Sequence, residues 1–237
     1  MARHSIKTKA QEPVIVIIPA AGMGRRMKSY GPKPLLQVNQ ETLLKRQIRI
    51  IKSVIQNPEF VIVCGFQCDK VMDACPIDFI KLENESYDTT NVARSLSIAL
   101  RAVPSKRTLI INGDLVFDKC ILQEMDFSQS CISLCTDPDK DTEVGCVVDQ
   151  EDNLTNMMYD LPHKWNQILY LQDKELEEFK KQCFNRKNSK MFCFEIINKV
   201  ISKGYKIKCF THESGKVIDI DTSKDLVKAN KYYDTNR

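Results

Sequence analysis

The sequence contains little glycine or proline, with 8 and 9 residues of these types in a chain of 237. This scarcity excludes a fibrous protein and argues against a disordered one, because both classes are rich in these residues. Hydrophobic residues make up 43% of the chain and charged residues 28%. We therefore expect one sizeable folded domain with enough apolar side chains to close a core.

Long hydrophobic runs are also missing. No apolar stretch approaches the roughly 18 residues that a membrane-spanning helix needs, and residues 1–12 do not contain the apolar centre of a secretory signal. We expect a cytoplasmic protein with no membrane partner. Residues 1–12 are predicted to form a flexible tail ahead of a single domain over residues 13–237.

A basic stripe with interleaved aromatic side chains is absent as well. The net charge is +4, and the tail residues Arg3, Lys7 and Lys9 carry part of it. Proteins that bind nucleic acids usually concentrate their lysines and arginines on one surface. We therefore expect no nucleic-acid partner, whereas small phosphorylated molecules remain compatible with this charge.

Cysteine, in contrast, is plentiful, with ten residues. Most of them lie in apolar stretches, where cysteine behaves as a small hydrophobic residue. Two closer spacings, Cys64 with Cys68 and Cys131 with Cys135, do not match the paired spacing of a structural zinc site. We predict reduced thiols in the core and no zinc.

Buried strands alternate with helices in the first half of the chain. Residues 14–18, 60–65 and 107–114 are short apolar runs of the kind found in strands covered on both faces, with a weaker strand at 77–82. Between these strands, apolar residues recur at helical spacing. Thr90 or Asn91 could cap the helix predicted from about residue 92 to residue 103. This alternation predicts an α/β fold with a parallel sheet, helices on both faces and a ligand crevice at the carboxyl ends of the strands.

The second half is less regular. We predict strands at 131–135, 145–149 and 205–210, helices at about 174–183 and 192–202, and a polar stretch around 157–165 without an assigned element. Thr222 and Asp225 have the spacing of a capping box and predict the start of a final helix.

A glycine loop follows the first strand. The run Ala20, Ala21, Gly22, Met23, Gly24 can direct backbone N–H groups into one concavity, and its glycines let a phosphate chain approach. Arg26 can supply a bidentate donor to phosphoryl oxygens, and Lys33 adds a positive charge between two prolines. The dinucleotide fingerprint fails because Met27 replaces its third glycine, and the P-loop pattern is absent.

These residues resemble the signature of the nucleotidyltransferase superfamily that makes nucleoside diphosphate sugars and CDP-alcohols. That signature is Ala-Ala-Gly-x-Gly-x-Arg-Met or -Leu followed after a spacer by Pro-Lys-Pro-Leu, and it matches residues 20–27 and 32–35. The resemblance implies a three-layer, Rossmann-like fold with a mixed, mainly parallel central sheet. It also implies a nucleotide-binding half, residues 13–115, and an acceptor-binding half, residues 116–237.

The resemblance extends to two acidic segments. Family members place one Mg²⁺ ligand in a Gly-Asp after a central strand and a second before a helix near the C-terminus, which correspond here to Asp114 and Asp219, with Asp221 as the second choice. The resemblance implies attack of an acceptor phosphate on the α-phosphorus of a nucleoside triphosphate, with release of pyrophosphate. Arg26 and Lys33 would then stabilise charge on the phosphates.

A finer resemblance concerns residues 84–96, NESYDTTNVARSL. Bacterial choline-phosphate cytidylyltransferases, and relatives that act on aminoethylphosphonate, have a similar run beside the nucleotide. It implies that Asn84, Thr90 and Asn91 line the nucleotide site, with Tyr87 and Ser95 matching the same pattern, and it favours CTP. Asn84 or Asn91 could read the base, because an amide offers both a donor and an acceptor, but Asn91 could equally be a helix cap.

The acceptor and several rival functions stay open. A choline group would need aromatic side chains and an amine a carboxylate; the candidates are Tyr159, Trp165, Tyr170 and Phe192, and Asp160 and Glu195. One rival is a sugar-1-phosphate nucleotidyltransferase that uses UTP or dTTP. Methylerythritol-pathway cytidylyltransferases and molybdenum-cofactor guanylyltransferases share the loop, and a catalytically silent nucleotide-binding regulatory module is a rival of another class.

Overall fold

The structure is a computed structural model that describes residues 12–135, 143–212 and 214–235. The predicted N-terminal tail therefore lies outside the described residues, apart from Glu12. Thirteen strands and seven α-helices are assigned in the described residues. The strands are β1 (Ile15–Ala20), β2 (Gln37–Val38), β3 (Glu41–Thr42), β4 (Glu59–Cys64), β5 (Ile80–Glu83), β6 (Arg107–Ile111), β7 (Leu115–Phe117), β8 (Cys131–Cys135), β9 (Val144–Val148), β10 (Leu154–Tyr159), β11 (His163–Gln172), β12 (Lys208–Thr211) and β13 (Val217–Asp219).

The helices alternate with these strands along the chain. They are α1 (Leu43–Val54), α2 (Cys68–Ala74), α3 (Val92–Ala102), α4 (Lys119–Gln123), α5 (Asp173–Phe184), α6 (Cys193–Ile201) and α7 (Ser223–Thr235). Short 3₁₀ segments, Arg25–Tyr30 and Lys33–Leu35, follow β1. None of the helices in the described ranges is both long and apolar enough to cross a membrane.

A mixed sheet of nine strands forms the middle layer, in the order β10-β9-β11-β6-β1-β4-β5, with β8 paired to β11 and β12. Strands β6, β1, β4 and β5 are parallel to one another, whereas β11 runs antiparallel to β6. Strand β11 also pairs with β8 and β9, so it connects the two halves of the sheet. A separate two-stranded ladder joins β7 to β13.

Helices cover both faces of this sheet because its strands carry apolar side chains on both. In β1, Ile15 and Ile17 pack in one core with side chains of α3, α5 and α6. Val16 and Ile18 point the other way and pack with side chains of α1, α2 and α4. The predicted three-layer α/β fold is therefore confirmed.

The clearest difference from prediction lies in the second half. Strands β10 and β11 occupy residues for which the sequence predicted no element, and β12 begins three residues later than the predicted strand.

Two predicted caps are present: Asn91 caps α3, and Thr222 N donates to Asp225 Oδ2 at 2.7 Å before α7. The ten cysteines, all of which are described, are not in disulfides, and seven are buried, as expected for core residues.

Candidate active site

The glycine loop follows the carboxyl end of β1. This strand lies between β6 and β4 in the parallel half of the sheet. The backbone N–H groups of Gly22, Met23 and Gly24 donate to no backbone carbonyl in the described part of the chain. Gly24 has a φ of +50°, and a β-carbon there would lie 3.2 Å from Lys33 Cγ. Glycine is therefore favoured at position 24 both by the left-handed backbone conformation and by the close approach of Lys33.

Lys33 is the cation at the centre of the site. Its Nζ donates to Asp114 Oδ2 at 2.9 Å and also to Asp221 Oδ1, and only 13% of its side chain is exposed. Burial lowers the pKa of Lys33, but Asp114, Asp219 and Asp221 outweigh burial and raise it above its ordinary value. The ammonium group is therefore charged throughout the working pH range.

Three carboxylates converge on this lysine because of the β7–β13 ladder. Asp219 is paired with Leu115 in that ladder, and Ile220 N donates to the carbonyl oxygen of Asp114 at 3.0 Å. Oxygen atoms of Asp114, Asp219 and Asp221 consequently lie within 4.8 Å of one another. The sheet thus brings together residues more than 100 positions apart in sequence.

Asp221 differs from the other two carboxylates in its partners. Its Oδ2 accepts a hydrogen bond from Arg26 at 2.6 Å, and its Oδ1 accepts the bond from Lys33. Burial raises the pKa of Asp221, but Lys33 and Arg26 outweigh burial and lower it. Both oxygens of Asp221 are therefore engaged with cations.

Asp114 and Asp219 each retain one buried oxygen, Oδ1, with no hydrogen-bond partner in the described structure. Burial, followed by the negative charges of Asp114 and Asp221, raises the pKa of Asp219 to about 7. An unpartnered carboxylate oxygen in a crowded acidic cluster is costly unless a cation is bound there. The donor set, carboxylate oxygens without sulfur or imidazole, fits Mg²⁺.

A cavity of about 170 Å³ opens beside the loop. Gly65, at the end of β4, allows its wall to form, because a β-carbon at that position would lie 2.7 Å from Tyr87 Cβ. Five residues predicted for the nucleotide site line it, namely Ala21, Gly22, Asn84, Thr90 and Asn91, together with Tyr87, Ser95 and the predicted metal ligand Asp114. The predicted loop residues Ala20, Met23 and Gly24 are not among the lining residues.

Asn84 and Asn91 have different environments within this lining. Asn84 is 2% exposed, its Nδ2 donates to Thr90 Oγ1 and Ser95 Oγ, and its Oδ1 accepts from Ser86 N. Asn91 Oδ1 accepts from Val92 N at 2.8 Å, and in the described residues its Nδ2 has no hydrogen bond. Asn84 thus shapes the cavity wall, whereas Asn91 caps α3 and keeps its amide donor available.

The aromatic candidates for the acceptor site divide into two groups. Trp165 and Tyr170 are buried in the core, so they cannot form an open cage. Tyr159 and Phe192 are 46% and 47% exposed, and Phe194 lies between them, with ring centroids 5.6 Å from Tyr159 and 5.9 Å from Phe192.

This aromatic group lies next to the start of α3. Met191, the residue before Phe192, accepts a hydrogen bond through its carbonyl from Ala93 N at 3.3 Å. Of the acidic candidates, Glu195 Oε2 accepts from Phe192 N at 2.7 Å and caps α6, and Asp160 is at a turn with a φ of +63°. The backbone segment that leads into Phe192 therefore adjoins the amino end of α3, whose first residues line the cavity.

Sequence reasoning missed Gln167. It lies in β11, and its Nε2 donates to Asp219 Oδ2 at 2.7 Å. The apolar run at residues 168–171 could have indicated a strand, but no local signal reveals a contact across 52 residues.

Known proteins match the part of the chain that carries the glycine loop and Asp114. A family model described as a MobA-like NTP transferase domain matches residues 16–130. Among curated proteins, the bifunctional protein GlmU of Synechococcus elongatus is 33% identical over 106 residues, which is 43% of this chain and 23% of that protein. GlmU of Thermodesulfovibrio yellowstonii is 24% identical over 236 residues, 92% of this chain and 51% of that protein. The matched parts thus span 23% and 51% of the length of these two relatives.

Solved structures resemble the whole chain. The CTP:phosphocholine cytidylyltransferase of Streptococcus pneumoniae has a TM-score of 0.80 at 19% identity, covering 94% of this chain and 100% of that one. The inositol-1-phosphate CTP transferase of T. maritima has a TM-score of 0.72 at 16% identity, covering 92% and 96%. A UDP-glucose pyrophosphorylase has a TM-score of 0.74 at 13% identity, covering 95% and 100%. These comparisons confirm the predicted fold and the predicted resemblance to nucleotidyltransferases.

Proposed function

We propose that the chain is a Mg²⁺-dependent cytidylyltransferase that joins CTP to a small phosphorylated or phosphonate acceptor, phosphocholine-like in character, with release of pyrophosphate. The observation that carries this proposal is the convergence of Arg26, Lys33 and three carboxylates beside a glycine loop and a cavity. Cations for phosphates and hard oxygen ligands for a metal are the groups that phosphoryl transfer requires.

The reaction divides among these groups as follows. The amides of residues 22–24 and Arg26 hold the β- and γ-phosphates, and Lys33 contacts the α-phosphate. An oxygen of the acceptor phosphate forms a bond to the α-phosphorus, and the bond from that phosphorus to the bridging oxygen breaks. The electron pair leaves with pyrophosphate, so charge develops where Arg26 and Lys33 lie. An acceptor phosphate is already ionised, and the step needs no general base.

The metal site in this proposal consists of Asp114 and Asp219, because each has an unpartnered oxygen, whereas Asp221 is already paired with two cations. When bound, Mg²⁺ neutralises charge on the phosphoryl oxygens as a Lewis acid. The residues themselves position the nucleotide: Lys33 and Arg26 fix its phosphates, and the cavity beside Asn91 receives its base.

CTP is favoured by residues 84–96 and by the free amide donor of Asn91. Two of the similar structures are described as a cytidylyltransferase and a CTP transferase, which supports this choice. A sugar-1-phosphate nucleotidyltransferase that uses UTP or dTTP is the second candidate, supported by the similar UDP-glucose pyrophosphorylase. A silent regulatory module is disfavoured because Arg26, Lys33, Asp114 and Asp219 are all present and assembled.

The acceptor proposal is based on the exposed rings of Tyr159 and Phe192. Aromatic faces attract a quaternary ammonium group, so they suit a choline-like head better than a hexose. No carboxylate among the described residues is placed as clearly for a primary amine, since Glu195 is engaged in capping α6. The cytoplasmic location and the division at residue 115 remain predictions from the sequence.

The test is pyrophosphate release in a grid of nucleotides and acceptors. CTP, UTP, dTTP and GTP are each combined with phosphocholine, aminoethylphosphonate and a hexose 1-phosphate in the presence of Mg²⁺. Asp114→Asn should abolish turnover, whereas Asp73→Asn, an exposed carboxylate in α2, is the matched control and should not.

Pyrophosphate release only in the well that contains both CTP and phosphocholine would support the proposal. Release only with UTP or dTTP and the hexose phosphate would support the second candidate. Nucleotide binding without release in any well would support the silent module.

A further inference from the structure

Gln167 occupies an irregular position in β11. The pairing of β11 with β8 shifts register between Trp165 and Leu169, and Gln167 lies inside this bulge with a φ of +58°. Residues other than glycine rarely adopt this left-handed conformation, and bulges commonly redirect a side chain. The bulge turns Gln167 toward the acidic cluster instead of along the pleat.

The side chain of Gln167 joins the two segments that carry the proposed metal ligands. Its Nε2 donates to Asp219 Oδ2 at 2.7 Å, and its Oε1 accepts a hydrogen bond from Asn112 Nδ2. Asn112 precedes Asp114 by two residues, at the end of β6. In this arrangement the amide nitrogen of Gln167 faces an oxygen of Asp219 and its amide oxygen faces the amide nitrogen of Asn112, so each end of the amide has a suitable partner.

Asn112 is itself fixed from the opposite side. Gln47, which is fully buried in α1, donates through Nε2 to the carbonyl oxygens of Asn112 and Leu115 at 2.9 and 2.8 Å. The bridge of hydrogen bonds through Gln167 therefore ends on Asn112, a residue that Gln47 of α1 also holds in place. One oxygen of Asp219 is held by this bridge, while the other, Oδ1, is buried and has no partner in the described structure.

We infer that Gln167 is a positioning residue that orients Asp219 and sets its separation from Asp114, so that one oxygen of each remains available to a divalent cation. The inference rests on the proposed function, because it concerns the metal site of that reaction. Groups that orient a ligand in this way typically change metal affinity by about 10- to 100-fold when they are removed.

Two variants remove the bridge in different ways. Gln167→Gly deletes the side chain and suits the left-handed backbone, so the bulge should persist. Gln167→Met retains the length of the side chain and loses its donor and acceptor. Asn57→Gly is the matched control, because Asn57 is exposed, has a φ of +50° and lies in the bend before the amino end of β4.

The measurement is Mn²⁺ binding by electron paramagnetic resonance, with and without CTP, and circular dichroism confirms folding. Both Gln167 variants should bind Mn²⁺ about 10- to 100-fold more weakly than wild type, while Asn57→Gly should bind like wild type. Turnover in the Gln167 variants should recover at high Mg²⁺ with little change in the KM for CTP, which a general packing defect would not allow.

Mn²⁺ affinities in both Gln167 variants equal to that of wild type would overturn the inference and leave the proposed function intact. Asp219→Asn is the reference for a lost ligand. Unchanged Mn²⁺ binding in Asp219→Asn would overturn the metal site of the proposed function, and the role of Gln167 with it.

Discussion

Lys33→Gln removes the central cation while it retains most of the side chain's length. In the resting structure the ammonium group makes two charge-assisted bonds, to Asp114 and Asp221. In the proposed reaction the N–H donors of this group face the oxygens of the α-phosphate, where charge develops. We expect a large loss in kcat with only a small change in the KM for CTP.

The magnitude follows from the strength of such bonds. A charge-assisted hydrogen bond contributes about 1.5–3 kcal/mol, and loss of a preorganised donor at a developing charge costs about 3 kcal/mol in activation free energy. At 1.36 kcal/mol for each factor of ten, kcat should fall on the order of 10²-fold. The burial of Lys33 supports the upper part of this range, because solvent cannot replace the lost donor.

Steady-state pyrophosphate release at saturating Mg²⁺, with CTP and acceptor varied in turn, measures both constants. Lys70→Gln removes an exposed lysine of α2 and serves as the control. Lys33→Arg retains the charge but changes its geometry, so it should recover only part of the rate. A Lys33→Gln enzyme with nearly normal kcat and a raised KM for CTP would refute the assignment, because Lys33 would then contribute to binding alone.

Three further outcomes are expected. Asn84→Ala should lower the free energy of unfolding in urea by about 2 kcal/mol, because it deletes three hydrogen bonds of a buried side chain; an unchanged midpoint would contradict a structural role. Phe192→Ala should raise the KM for phosphocholine several-fold and leave that for CTP unchanged, since aromatic contacts with a cation contribute about 0.5–2 kcal/mol; equal changes in both constants would count against the acceptor site. Burial lowers the pKa of His212, so the folded state binds a proton less readily than the unfolded chain, and stability should decline as pH falls below about 6.5; in His212→Gln this decline should be smaller, as measured by urea unfolding at several pH values.

The sequence was most informative where structure depends on local pattern. The apolar run of β1, the glycines after it and the caps of α3 and α7 are short-range features, and each was predicted close to its observed place. Strands β10 and β11 were not predicted, because β10 exposes Met158 and Tyr159 at the sheet edge and β11 contains the bulge at Gln167. Exposure and irregular register both obscure the alternation from which a strand is predicted.

For the candidate site, too, only the features that depend on local pattern could be predicted. Motif residues such as Gly24, Lys33 and Asp114 could be named in advance, because each belongs to a recognisable stretch. Their partners could not be, since the bonds from Arg26 and Lys33 to Asp221 join residues almost 200 positions apart. The β7–β13 ladder places Asp219 and Asp221 beside Asp114, and its register is set by pairing that no local pattern encodes.

The engagement of Asp221 with both cations has a consequence for selectivity. Arg26 and Lys33 already have an anionic partner, so any incoming anion must compete with a carboxylate that is part of the protein and therefore always present at high effective concentration. In the proposed function a triphosphate contacts both cations and the loop amides together, whereas a single phosphate or sulfate ion has fewer groups with which to replace the carboxylate. Asp221 would then be an internal competitor that raises the affinity an anion needs in order to occupy the site.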